Sequence, residues 1–249
     1  MAHGHAPLSS GSLVVVGTGI GATRLTLEAR SAIGAADDVL FLVPDLVSED
    51  LIRSLNPSAR SLAGCYVDGE LRLRAYERMV DAILAPARAG RRVCAAFYGH
   101  PGVFVHPSHE AIRQAREEGI EARMQPGISA EDCLFADLGV DPGAAGCQSY
   151  EASRFLERGP AIEPTAALVL WQLGVLGDPT SASKPRPGAL GRLLERLLEL
   201  YPPEHEVAVY EAAPYPGVEP IVRRLPLRAL ADDALTPLST LYVPPLAAR

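Results

Sequence analysis

Arg72 and Tyr76 stand four residues apart inside Leu71–Arg88, a stretch whose spacing predicts a helix, so the two side chains share one helix face. A guanidinium beside a phenol favours the phenolate and is expected to draw its pKa down from the usual value of about 10. A phenol tuned in this way is a usable base near neutral pH. The same spacing also fits a surface arginine stacked on an aromatic ring. Arg74 and Arg78 make the solvated face of this helix basic.

A second polar set is Tyr98-Gly99-His100-Pro101-Gly102-Val103-Phe104, which directly follows the apolar run Val93–Phe97. Ligands of open α/β sheets sit beyond the carboxyl ends of strands, and glycines let a backbone come close to them. Tyr98 and His100 would supply polar handles, although a Pro-Gly turn with a half-buried histidine also fits. Gln172, placed after the strand that ends at Trp171, could read the polar edge of a planar ligand.

Gly17-Thr18-Gly19-Ile20-Gly21-Ala22 matches G-x-G-x-x-A after an apolar strand. It reads either as a dinucleotide site or as a tight turn needing no ligand. The acid expected after the second strand is out of place, because Asp37 and Asp38 precede Val39; Asp45 is better positioned. No metal centre is expected. His3 and His5 lack further ligands, and His106 and His109 merely flank a helix start. Cys65, Cys94, Cys133 and Cys147 form no C-x-x-C pair.

The elements that must carry these residues alternate. Apolar runs at Leu13–Val16, Val39–Val43 and Val93–Phe97 read as buried strands. Helical patterns cover 23–35, 46–54, 71–88 and 107–118. This alternation predicts an α/β domain with a mainly parallel sheet over 13–124, behind a flexible lead of residues 1–12. Gln125-Pro126-Gly127 is the expected hinge to a second α/β domain, 125–249. Ser129 is expected to cap a helix there, with Asp132 three residues on. Strands follow at 166–171, 207–210, 220–224 and 240–243, with a helix at 192–200 and a polar loop from Gly174 to Pro187 that contains Lys184.

The chain has 249 residues, is 48% hydrophobic and carries a net charge of −7. This supports a sizeable core and disfavours both wholesale disorder and nucleic-acid binding through a basic surface. No apolar run approaches the roughly 20 residues needed to cross a bilayer, so no membrane association is expected. The start lacks a secretory-signal pattern, and the scattered thiols suggest a cytoplasmic protein.

Five segments occur in a telling order: Val16-Gly-Thr-Gly-Ile-Gly21, Tyr98-Gly-His-Pro-Gly-Val-Phe104, Pro126-Gly-Ile-Ser-Ala-Glu131, Phe135-Ala-Asp-Leu-Gly139 and Ser239-Thr-Leu-Tyr-Val-Pro-Pro245. In them the chain resembles the tetrapyrrole (corrin/porphyrin) methylase superfamily, and within it the borosin peptide α-N-methyltransferases. The resemblance implies a two-domain class III methyltransferase fold with the cofactor cleft between the domains. It also implies S-adenosylmethionine as methyl donor, S-adenosylhomocysteine as product, and a homodimer. By the same resemblance Tyr76, Arg72, Tyr66 and Tyr98 match the catalytic cluster. Tyr98, His100, Val103, Ala130, Gln172, Ala213, Ser239 and Thr240 should contact the cofactor, with Phe104 and Ser129 beside them.

Two departures stand out. His100 replaces the aspartate of the Gly-Asp-Pro common in other branches, which favours the borosin branch. Ala63 stands where fungal borosin enzymes carry a tyrosine. The sequence stops at Ala247-Ala248-Arg249 without a core peptide, so a separate precursor peptide, methylated in trans, is the expected substrate. The alternatives are a small-molecule tetrapyrrole C-methyltransferase and, more distantly, an NAD(P)-linked oxidoreductase or an inactive peptide-binding homologue.

Overall fold

The computed structural model describes residues 11–180, 185–232 and 234–247. The N-terminal lead with His3 and His5, Lys184 of the polar loop, and Ala248-Arg249 lie outside the described residues. Contacts divide the chain into two compact units. The first runs through Ala130 and includes Pro214–Gly217; the second comprises Glu131–Ala213 and the chain from Val218. The division thus falls after Ala130 rather than after Met124.

In the first unit the order is β1 (Ser12–Gly17), α1 (Leu27–Ala35), β2 (Asp38–Leu42), α2 (Leu46–Leu55), β3 (Arg60–Ser61), α3 (Arg72–Arg88), β4 (Arg92–Phe97), α4 (His106–Glu117) and β5 (Glu121–Gln125). The five strands form one parallel sheet, ordered β3-β2-β4-β1-β5. Val93 to Phe97 of β4 are all buried, as an unbroken apolar run in a parallel sheet should be. Leu13, Val15, Ala95 and Phe97 face Met79, Ile83 and Ala111 of α3 and α4 in one core cluster. Val16, Val39, Phe41 and Cys94 face Ile33 and Ile52 of α1 and α2 in another. Burying each large side chain contributes about 1.5–3 kcal/mol.

Helix α1 starts at Leu27 rather than Thr23. Residues Ala22–Arg24 form a short 3₁₀ turn instead, and the Thr26 hydroxyl accepts from Ala29 N at 3.0 Å, capping the helix there. Helix α3 tolerates Pro86 because it lies in the last turn, where only one backbone bond is lost.

The second unit follows with α5 (Ala130–Leu138), α6 (Pro142–Ala145), β6 (Cys147–Glu151), α7 (Ala152–Arg158), β7 (Ala167–Trp171), α8 (Ala189–Leu198), β8 (Glu206–Glu211), β9 (Ile221–Pro226) and β10 (Thr240–Val243). Its sheet is mixed, ordered β6-β7-β10-β8-β9. β6 and β7 run parallel and the other pairs antiparallel. Leu168, Leu170, Val207, Val209 and Leu241 pack against Phe155 of α7 and Leu193 and Leu197 of α8.

Candidate active site

The first turn of α3 and the loop before it bring Arg72, Tyr76 and Tyr66 together. The Arg72 guanidinium and the Tyr66 hydroxyl both donate hydrogen bonds to the Tyr76 phenol oxygen. The imidazole of His106, at the start of α4, stacks on the Tyr76 ring with centroids 5.8 Å apart. Tyr66 is 37% exposed, while Tyr76 is half-buried against the core.

One electrostatic expectation is corrected. Burial pushes the Tyr76 phenol above its ordinary value, and this outweighs the downward pull of Arg72 and Tyr66. Burial also raises Tyr66, to about 12, reinforced by the neighbouring Tyr76 and by the hydrogen bond it donates there. The two phenols are therefore unequal: Tyr66 donates the hydrogen bond between them and Tyr76 accepts it, together with that of Arg72.

The end of β4 feeds Tyr98 into a tightly pinned loop. Tyr98 N donates to Leu42 O at 3.0 Å. Gly99 and Gly19 exchange backbone hydrogen bonds of 3.0 and 3.2 Å. His100 Nδ1 accepts from Gly102 N at 2.9 Å, which assigns the ring proton to Nε2 in the neutral form. His109 Nε2 donates to Gly102 O at 2.9 Å, and the fully buried Ser108 hydroxyl sits against the carbonyls of Pro101 and Val105. On this base Val103 and Phe104 are exposed. Ser129, buried, and Ala130 open α5 just past the end of β5.

The glycines of the first loop serve the protein itself. A Cβ at Gly17 would strike Gly99 O, and one at Gly21 would strike Pro214 O. No α-helix begins until Leu27, so the loop lacks the helix N-terminus a pyrophosphate would need. Asp45 is the N-cap of α2, accepting from Ser48 N at 2.9 Å, and it also accepts from the Tyr215 phenol. Asp37 lies at the opposite, amino end of β2, where Arg92 holds its carboxyl down to about 2. The tight-turn reading therefore fits this loop and the dinucleotide reading does not.

In the second unit Gln172, Ala213, Ser239 and Thr240 gather at one sheet end, because β10 runs antiparallel between β7 and β8. Leu173 N donates to Ser239 O at 3.1 Å. Beneath them lies Glu211, which sequence reasoning missed. Its Oε1 accepts from Ser239 Oγ at 2.6 Å and from Thr236 Oγ1 at 2.9 Å, and the residue is 8% exposed. A charged residue closing the otherwise apolar run Val207–Tyr210 was the available signal. Among the described residues only Phe104 and Gln172 are non-glycines with positive φ, at 57° and 63°. Such backbone strain concentrates at ligand clamps, and both residues were expected beside the cofactor.

A model of tetrapyrrole (corrin/porphyrin) methylases matches residues 12–231. The chain belongs to that family. This methylase is 42% identical, over 95% of its length, to a methyltransferase/ribosomally synthesized cyclic peptide gymnopeptides precursor of Gymnopus fusipes. It is 40% identical, over 96%, to the corresponding omphalotin A precursor of Omphalotus olearius. It spans 58% and 59% of those two relatives, so it matches a little over half of each. Uroporphyrin-III-C-methyltransferase from Thermus thermophilus superimposes with a TM-score of 0.65 at 25% identity, covering 94% of each chain. The cobalt precorrin-4 methyltransferase gives 0.68 at 19% identity, also over 94% of each chain, and shares the fold. Among the described residues no helix is long and apolar enough to cross a membrane. Nor is any group of three or more His, Cys, Asp or Glu side chains arranged for a metal ion.

Proposed function

We propose that this methylase transfers methyl groups from S-adenosylmethionine to backbone amide nitrogens of a peptide supplied as a separate chain. The observation that carries this reading is the double hydrogen bond from Arg72 and Tyr66 to the Tyr76 oxygen. The identity near 40% with methyltransferase–peptide precursor relatives supports it.

A peptide nitrogen is a poor nucleophile because its lone pair is delocalised into the carbonyl. Its proton must leave as the new N–C bond forms. Tyr76, entering as phenolate, takes that proton, and its oxygen is restored as a phenol. Burial makes the phenolate scarce but strongly basic, while Arg72 and Tyr66 limit the cost of forming it. Arg72 also offers a hydrogen bond to the peptide oxygen as imidate charge builds there. Tyr98 orients the amide.

S-adenosylmethionine supplies the electrophilic sulfonium methyl. By the family resemblance, the residues proposed to hold it are Tyr98, His100, Val103, Phe104, Ser129, Ala130, Gln172, Ala213, Ser239 and Thr240. The donor set fits. At the end of β5, Gln125 Oε1 is buried without a hydrogen-bond partner, an acceptor suited to a ligand bringing N–H donors through its ammonium and adenine amino groups.

The test is incubation with S-adenosylmethionine and a panel of Val/Ile/Gly-rich peptides, read by tandem mass spectrometry. Mass gains of one CH₂ placed on backbone nitrogens are expected. Binding of S-adenosylmethionine with no gain on any peptide would overturn the reading. A porphyrin arm, followed by absorbance, detects the tetrapyrrole alternative, which the shared fold favours.

A further inference from the structure

Tyr66 reaches Tyr76 from a segment with little regular structure of its own. Only the 3₁₀ turn Ala63–Cys65 precedes it, and α3 does not begin until Arg72. Something must fix where its hydroxyl lies, and the contact belongs to Arg78. From α3 its Nε and Nη2 donate to the Cys65 carbonyl at 3.0 and 2.7 Å, and Nη2 donates to Glu70 Oε2 at 2.8 Å. The Cys65 carbonyl belongs to the peptide group that begins Tyr66, and Glu70 closes the same loop. One guanidinium thus grips the segment on both sides of the tyrosine.

We propose that Arg78 is a positioning residue, clamping the Cys65–Glu70 segment so that the Tyr66 hydroxyl donates to Tyr76. The inference rests on the proposed role of Tyr76 as proton acceptor. The Glu70 ion pair is largely solvent-exposed and contributes little stability by itself. The grip on the carbonyl is different, because a planar fork fixes direction as well as distance. The other groups on Tyr76 are Arg72 of its own helix and the His106 ring of α4, and neither contacts the clamp in any hydrogen bond described above.

The experiment reads Tyr76 directly. Its alkaline ionisation is obtained as the ultraviolet difference titration between a protein and its Tyr76→Phe variant, in parent and Arg78→Ala backgrounds. Turnover is measured alongside on the peptide of the functional assay. Arg78→Ala is expected to move the Tyr76 midpoint upward and to lower kcat about tenfold, the effect of losing one hydrogen bond, with cofactor affinity unchanged. Tyr66→Phe is expected to cost little more in the Arg78→Ala background, and Arg78→Lys to restore part of the loss. Glu70→Gln releases one hold only. It gives a smaller shift of the same sign, and it serves as the test should Arg78→Ala fail to fold. An unmoved Tyr76 midpoint in a folded variant, or an undiminished Tyr66→Phe effect beside Arg78→Ala, would overturn the proposal. Absence of peptide methylation by the parent protein would instead overturn the functional reading, and the titration still reports on the clamp.

Discussion

The Tyr76 phenol oxygen and Glu211 Oε1 each receive two side-chain donors, yet their surroundings set them to different tasks. Glu211 is buried, and its donors Ser239 and Thr236 are themselves fixed by backbone bonds within residues 236–239. That arrangement holds a sheet end still. Tyr76 lies half-buried beside an exposed Tyr66, and its donors are an arginine and a phenol that can follow a changing charge. Two donors on a closed acceptor make scaffold; two donors on an open one suit the proton transfer proposed for Tyr76.

The contrast can be broken at either end. Tyr76→Phe is expected to lower kcat by about 10³-fold, within the range for a positioned base, while isothermal titration shows unchanged S-adenosylmethionine affinity. Retained turnover would place the base elsewhere. Glu211→Ala is expected to lower stability by about 1–3 kcal/mol in urea unfolding, because the buried Ser239 hydroxyl loses its acceptor. A neutral result there would remove the scaffold reading of Glu211.

Two weaker effects sharpen it. Because the proton must leave Tyr76 first, and burial has raised its pKa, kcat/KM is expected to climb with pH through neutrality and to go on climbing past the ordinary tyrosine value of about 10. The sign for stability is opposite. Tyr66 and Tyr76 are both raised in the folded state, so their contribution is complete below the unfolded value near 10 and is lost as pH rises towards 12. Urea midpoints should therefore fall in that window, and less steeply in Tyr66→Phe. Smallest of all, Gln172→Gly should relieve a left-handed strain of about 1 kcal/mol and raise the thermal midpoint, while weakening cofactor binding.

The spacing of Arg72 and Tyr76 and the alternating elements were readable because helix and strand periodicity is local. The direction of the Tyr76 shift was not, since burial is set by β2, α4 and the Tyr66 loop, and one arginine cannot be weighed against them from spacing. Arg78 read as a solvated charge because its partners, Cys65 and Glu70, lie off its own helix. Glu211 was hidden for the same reason, its donors standing on the far side of β9 in the sequence. The glycine loop could be read as turn or ligand cradle until Pro214, from far along the chain, was seen against Gly21.

Gly127 adds a consequence of its own. A Cβ there would come within 2.5 Å of Gly99 O and 2.8 Å of Gly17 Cα, so three strand ends meet backbone to backbone. A mutational scan would score these three glycines as intolerant as any residue touching the reaction, although they handle no proton and no methyl group. At Gly17 and Gly127 that intolerance would report a space only hydrogen can occupy, and at Gly99 a left-handed backbone with φ of 68°, and it would leave unchanged the list of groups proposed to perform the transfer.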